Sequence, residues 1–175
     1  MTQTQPAAHG TDALFSEVYA RLKAMAARHL AAVGPGARIE ATVLVHELYL
    51  RISSQRELQF GHPGQFFSYA AQAMRHLLLD LARNHQSLRA GGPWQQVTLT
   101  ASNESFVLES ADQVLALDRA LDRLAEADER AARVIELRYF AGLTSEQAAQ
   151  ALAISKRTAD RDWTFALAFL KTDLD

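Results

Sequence analysis

The sequence predicts an all-α protein made of two small helical domains joined by a flexible linker. Three observations carry that expectation. Apolar residues recur at three- and four-residue spacing along most of the chain. One stretch rich in Gly, Ser, Thr, Gln and Asn interrupts them, with few apolar anchors of its own. Helix-capping signatures cluster after that stretch. Alternation with period two is confined to the brief run Gln96-Val97-Thr98-Leu99-Thr100.

Taken in order, residues 1–10 are polar, lack the apolar segment of a signal peptide, and read as a disordered N-terminus. Leu14, Val18, Leu22 and Met25 lie near one face of a first helix, which Gly34-Pro35-Gly36 ends. A second helix carries Ile39, Val43, Leu44, Leu48 and Ile52, and stops before Gly61-His62-Pro63-Gly64. A third and longer one, over about 66–85, carries Phe66, Phe67, Ala70, Ala73, Met74, Leu77, Leu78 and Leu81 before Gly91-Gly92-Pro93 closes it. These three define a domain over 11–86, followed by a linker over 87–111 and a second domain over 112–175. In the latter, Val114, Leu117, Leu121 and Leu124 start a helix. Asp128 is placed to cap the next, which holds Val134, Ile135 and Phe140 and which Gly142 would terminate.

The sharpest local signal begins at Thr144. With Gln147 three residues later it forms a capping box, in which each side chain satisfies a free backbone N–H at a helix start. Ala148 and Ala149 are small enough for close helix contact, and Leu152 and Ile154 are placed to plug the gap between helices. A turn at Ala153-Ile154 leads to Ser155, a second N-cap. The helix it opens bears Lys156, Arg157, Thr158, Asp160 and Arg161, with Trp163 anchoring its buried side. This is a helix-turn-helix pattern, whose second helix inserts its leading residues into the major groove of DNA. Asp160 and Asp162 lower the local charge, so strong independent binding is not expected.

Composition removes several function classes. The 175 residues include no cysteine, so neither a disulfide scaffold nor a thiolate metal site is possible. No apolar run approaches the roughly 18 residues that span a bilayer, and a cytoplasmic protein without membrane partners is expected. His46-Glu47 begins like a zinc-protease HExxH helix, but Leu50 stands at the second ligand position. The six histidines are scattered, and no glycine loop cradles phosphate. The expectation is therefore no enzyme, no catalytic residue, no metal and no cofactor. A net charge of -2 poses a different problem, because a protein that grips DNA alone is usually basic. Either this chain avoids DNA or a larger partner helps it bind.

Two motif sets bear on that choice. One runs through Thr42-Val43-Leu44-Val45-His46-Glu47-Leu48-Tyr49-Leu50-Arg51, then Phe66-Phe67-Ser68-Tyr69-Ala70-Ala71-Gln72-Ala73-Met74-Arg75, to Asp80, Arg83 and Gly91-Gly92. The other runs from Val134 to Thr144, then through Leu152-Ala153-Ile154-Ser155 and Arg161-Asp162-Trp163. In that order, over roughly residues 11–173, they resemble regions 2 and 4 of the sigma-70 family in its short extracytoplasmic-function (ECF) form. The resemblance implies a promoter-recognition subunit of RNA polymerase that directs promoter-specific initiation.

It also implies roles. The helix like 38–53 would dock on the β′ clamp helices, with Leu44, Glu47, Leu50 and Arg51 as core-polymerase contacts; the β flap is a second contact on the enzyme. The helix like 66–85 would melt and read the -10 element through Arg75, Arg83 and Tyr69, since exposed bases are held by aromatic stacking and by cations along the backbone. Phe66 and Phe67 fall on the apolar stripe and read as core. Lys156, Arg157, Thr158 and Arg161 would meet the -35 element.

One departure from the family pattern stands out. Many members carry an acidic Asp-Ala-Glu-Asp run where this chain has Glu40-Ala41-Thr42-Val43. The chain therefore resembles the variant group whose acidic run in region 2.2 is depleted, some of which have a threonine there that a Ser/Thr protein kinase phosphorylates. Phosphate adds about -1.5 to -2 charge and strong acceptors for arginine. Two readings of Thr42 stay open, a phosphorylation switch or an ordinary helix or N-cap threonine. Two other functions also stay open: a standalone helix-turn-helix regulator with an N-terminal dimerisation or sensing domain, and a plain helical adaptor.

Overall fold

The computed structural model describes residues 11–33, 39–54, 60–88, 100–102, 105–107 and 110–174. The expected N-terminal tail, 1–10, lies outside them, as do 89–99, 103–104 and 108–109 of the expected linker. The described residues form seven helices: α1 (Thr11–Val33), α2 (Ala41–Ser54), α3 (Pro63–Leu88), α4 (Ala111–Ala127), α5 (Glu129–Tyr139), α6 (Ser145–Ala151) and α7 (Lys156–Leu174). The fold is all-α. Its one addition is a small antiparallel hairpin of β1 (Thr100–Ser102) and β2 (Ser105–Val107), in which Thr100 pairs with Val107.

Local chemistry explains the ends of the later helices. The Ser110 side chain accepts from the Gln113 N–H and caps α4. Asp128 serves two helices. Its backbone N–H donates to Leu124 O at the end of α4, while its carboxylate accepts from the Ala131 N–H at the start of α5. Beyond α5, Gly142 adopts φ +71°, a left-handed conformation that suits glycine, and Leu143 N–H bonds back to Leu137 O. One boundary differs from expectation. Gly61-His62-Pro63-Gly64 reads as a helix breaker, yet α3 starts inside it at Pro63. A proline at the first helical position lacks only an N–H that would go unpaired anyway, and its fixed φ already suits a helix.

α1, α2 and α3 pack on one another, as do α4, α5, α6 and α7; α3 then lies against α4, α5 and α6. A single apolar cluster runs through both sets. Phe66, Leu22, Leu48, Ile52, Met74 and Leu78 are fully buried in the first set, and Leu117, Leu121, Leu124, Ile135 and Leu137 in the second. Each such side chain contributes about 1.5–3 kcal/mol by leaving water. Two glycines let the sets approach. A Cβ on Gly64 would run into the Ala151 carbonyl oxygen, and one on Gly142 would lie 2.9 Å from Met25 Cγ.

Candidate nucleic-acid interface

The helix-turn-helix is built from reciprocal side-chain and backbone bonds. Thr144 Oγ1 accepts from the Gln147 N–H at 3.2 Å, and Gln147 Oε1 accepts from the Thr144 N–H at 3.0 Å. Ala148 and Ala149 are buried, as expected for a close crossing. Ala153 takes φ +54° in the turn, where Ile154 N–H reaches back to Ala149 O. Ser155 Oγ accepts from the Thr158 N–H at 3.1 Å and opens α7.

Two acids that seemed to oppose DNA prove to be structural. Asp160 bonds Ser145 and accepts from Lys156 Nζ at 2.7 Å; the lysine first, then the hydroxyl, hold its carboxyl below the usual range. Asp162 is buried and takes a two-pronged bond from Arg130 at 2.5 and 3.0 Å. Arg138 lies 3.8 Å over the Trp163 ring and completes the support of α7 from α5.

The fully exposed charges on the leading turns of α7 are cationic, while Asp160 is half-buried. Lys156, Arg157 and Arg161 are exposed, and among the described residues Arg157 has no ion-pair partner. Thr158 is half-buried, and its hydroxyl lies 2.9 Å from Ser155 Oγ, so it supports the helix start.

The three candidates on α3 are not brought together. Arg83 is exposed and borders a groove against α2. Tyr69 is half-buried in a cleft of about 430 Å³ shared with Arg133, Leu137 and Leu152 from the other helix set. Arg75 retains only 12% of its side-chain exposure. Its Nε bonds Asp118 Oδ1 at 2.8 Å, Nη1 bonds Glu136 Oε1 at 2.8 Å, and Nη2 bonds Asp118 O at 2.8 Å and Asp122 Oδ1 at 2.6 Å. Burial alone would lower its pKa, but the bonds from Asp122, Glu136 and Asp118 outweigh that and raise it. Phe66 is fully buried, as the apolar stripe implies, and Phe67 is half-buried against the core.

On α2 the sequence-selected residues split between inside and outside. Leu50 is 47% exposed, Glu47 is exposed, and Arg51 bonds Asp80 of α3 at 3.2 Å. Leu44 is 2% exposed, so its side chain belongs to the core. Its neighbour Val43 takes the outward place, at 54% exposure. Val43 lines a groove of about 480 Å³ with Ile39, Glu47, Arg51, Leu77 and Leu81. Period counting put Val43 on the apolar stripe, and only the packing of α3 shows on which side of the stripe it falls. Thr42 is exposed at the second position of α2, past the N-cap, beside a cleft of about 350 Å³ bordered by Asp12, Tyr19, His46 and Tyr49.

No described helix is long and apolar enough to cross a membrane. Comparison with curated proteins gave no significant match, and comparison with solved structures gave none either. A family model does match, that of the ECF sigma factors, over residues 3–175. With an all-α fold and a doubly capped helix-turn-helix presenting cations, this chain belongs to the ECF sigma factor family, proteins that serve RNA polymerase in transcription initiation.

Proposed function

We propose that this chain binds core RNA polymerase through the outer face of α2 and directs promoter-specific initiation. In this reading α3 meets the -10 element and the leading turns of α7 meet the -35 element. The units over 11–86 and 112–175 act as two domains joined through 87–111, working in the cytoplasm without a catalytic step of their own. The observation that carries the reading is the start of α7, where the Ser155 cap, the bonded Asp160 and the buried Asp162 leave Lys156, Arg157 and Arg161 exposed. Exposed Val43 and Leu50, flanked by Glu47 and Arg51, offer a partly apolar docking face of the kind that hot spots favour.

Thr42 sets the strength of that docking. It stands on the first turn of α2, which carries no acid, so a phosphate there would meet the positive end of the helix dipole. A Ser/Thr kinase supplies the phosphate, which adds one to three charge-assisted bonds to basic groups of the clamp.

Run-off transcription with core polymerase tests the proposal. Promoter-specific transcripts should appear with the chain present and increase when Thr42 carries phosphate. Leu50→Asp should suppress them by blocking assembly. DNA binding without any polymerase-dependent transcript would replace this reading with the standalone regulator. Equal core affinity with and without phosphate would leave Thr42 a plain helix residue.

A further inference from the structure

The cations at the start of α7 are not equivalent, because one carboxylate is committed to one of them. Asp160 gives an oxygen to each of two neighbours: Oδ1 accepts from the Ser145 hydroxyl on α6, and Oδ2 accepts from Lys156 Nζ at 2.7 Å. The bond from Lys156 first, then that from Ser145, holds its carboxyl below the usual range, and the charge of Arg138 on α5 adds to the effect. Arg157 has no ion-pair partner among the described residues, and Arg161 keeps only the 3.9 Å contact with Asp162.

Helix stability does not explain this pair. The first turn of α7 carries no acid, and it places Lys156 and Arg157 where the helix dipole is positive. An acid four residues after a lysine is also the weaker order of such a pair. An exposed ion pair gains little on its own, since two long side chains lose freedom to form it. The Ser145 bond alters that balance, because it fixes the carboxylate in place for the lysine. The arrangement opposes the preference of the helix itself; what it achieves is to neutralise Lys156 while Arg157 and Arg161 stay available.

That selection bears on sequence reading. A lysine ammonium is a point charge on a flexible stem; it neutralises any phosphate and carries no base information there. An arginine fork bonds a guanine edge through two parallel hydrogen bonds. Discrimination is a difference of affinities, so it grows when sequence-independent attraction is cut. We propose that Asp160 is a specificity-determining residue: anchored by Ser145, it withholds Lys156 from DNA phosphates and leaves base reading to Arg157. The inference rests on the assignment of α7 to the -35 element. Asp160 acts through Lys156 and through its α6 anchor, so it is a positioning residue and not itself a base contact.

The test titrates the full chain, at several salt concentrations, with two duplexes: one that the parent selects from a random pool and one of mixed sequence. Asp160→Asn removes the charge, while its amide oxygen can still accept from Ser145. It should bind the mixed duplex about fivefold more tightly, steepen the salt dependence by about one released counterion, and reduce discrimination by a similar factor. Loss of a negative charge strengthens DNA binding by itself, so the substitution is repeated in the Lys156→Ala background. There it should leave the salt slope and the discrimination unchanged. Equal effects with and without Lys156 overturn the proposal, because the carboxylate would then act by its own repulsion. A readout without DNA accompanies these: Lys156→Ala and Ser145→Ala should each raise the midpoint at which the Asp160 carboxyl titrates by NMR. Unmoved midpoints also overturn the proposal. A parent that binds the two duplexes equally would instead remove the -35 assignment of α7, an outcome separate from the carboxyl titration.

Discussion

The two arginine-bearing surfaces proposed to meet promoter DNA are prepared in opposite ways. At the start of α7, every bond that shapes the surface comes from the helix-turn-helix or the adjacent α5, and Arg157 is left free of ion pairs among the described residues. On α3, Arg75 is tied to residues 43, 47 and 61 positions further along the chain. One surface is finished by local capping and needs nothing removed before it can act. The other is tied to a distant part of the same chain. A charge that points outward in sequence patterning is thus available only when its own protein has not already neutralised it.

The sharpest way to break this comparison is to remove the local support of α7. Trp163→Ala deletes a buried ring and the surface on which Arg138 lies at 3.8 Å. A loss of about 3–5 kcal/mol in urea unfolding is expected for truncating a buried aromatic residue, together with loss of -35 binding. If the unfolding midpoint stays in place, α7 is held by its caps alone.

The next effect probes the link between the sets. His29 of α1 is buried, and its Nε2–H donates to the Tyr139 carbonyl at the end of α5 at 3.0 Å. Burial first, offset in part by that bond and aided by Arg28, lowers its pKa from 6.5 to about 4. Arg75 and Asp118 line the same small cavity, while Tyr139 and Phe140 cover the ring from α5. The folded chain therefore binds fewer protons here than the unfolded one between these values. The His29 contribution should be constant above pH 6.5 and fall by about 3 kcal/mol as pH drops through 4. Urea titrations of the parent and of His29→Gln across that range should diverge with this sign. Parallel curves would place the acid sensitivity in the carboxylates.

What was legible in the sequence follows the same division between local and distant. The Thr144–Gln147 box, the Ser155 cap, the double use of Asp128 as far as its N-cap role, and the Gly142 stop are all bonds within a few residues, and the chain spells them out. Leu44 and Val43 show where pattern reading loses resolution. Both lie on the apolar stripe of α2, and only the placement of α3 turns one inward and leaves the other at the groove. Asp160 and Asp162 look like unfavourable charge until Ser145 and Arg130 are brought beside them by folding. The Arg75 cluster is the extreme case. Nothing in the spacing of Asp118, Asp122 and Glu136 marks them as partners of α3.

A smaller and more selective effect distinguishes the cations of α7. Among the described residues Arg157 has no ion-pair partner, whereas Arg161 keeps a loose contact with Asp162 at 3.9 Å and is highly exposed. Arg157→Ala should weaken binding to a selected -35 duplex by about 1–3 kcal/mol and relax preference at one base position. Arg161→Ala should weaken all sequences alike and reduce the salt dependence, as a phosphate contact does. Competition assays with singly substituted duplexes measure both. Interchanged results would shift the base-reading face of α7 by one turn.

The smallest expected effect tests whether capping alone positions the recognition turn. α6 is only seven residues long, a length at which an isolated helix is marginal in water. Its start relies on the Thr144 hydroxyl, the returning Gln147 side chain, and buried Leu143 and Ala148 on either side of the cap. Thr144→Ala removes one of the two reciprocal bonds and leaves the apolar contacts in place. A loss of about 1 kcal/mol is expected, with Thr144→Ser retaining most of the stability because its hydroxyl can still accept from Gln147 N–H. Hydrogen exchange should localise the change to the first turn of α6, while the Arg75 contacts of α3 stay protected to the same degree as in the parent. Faster exchange spread across α3 as well would mean that the turn before α7 and the contact between the helix sets form one cooperative unit, and the contrast between a locally finished surface and a distantly completed one would no longer hold.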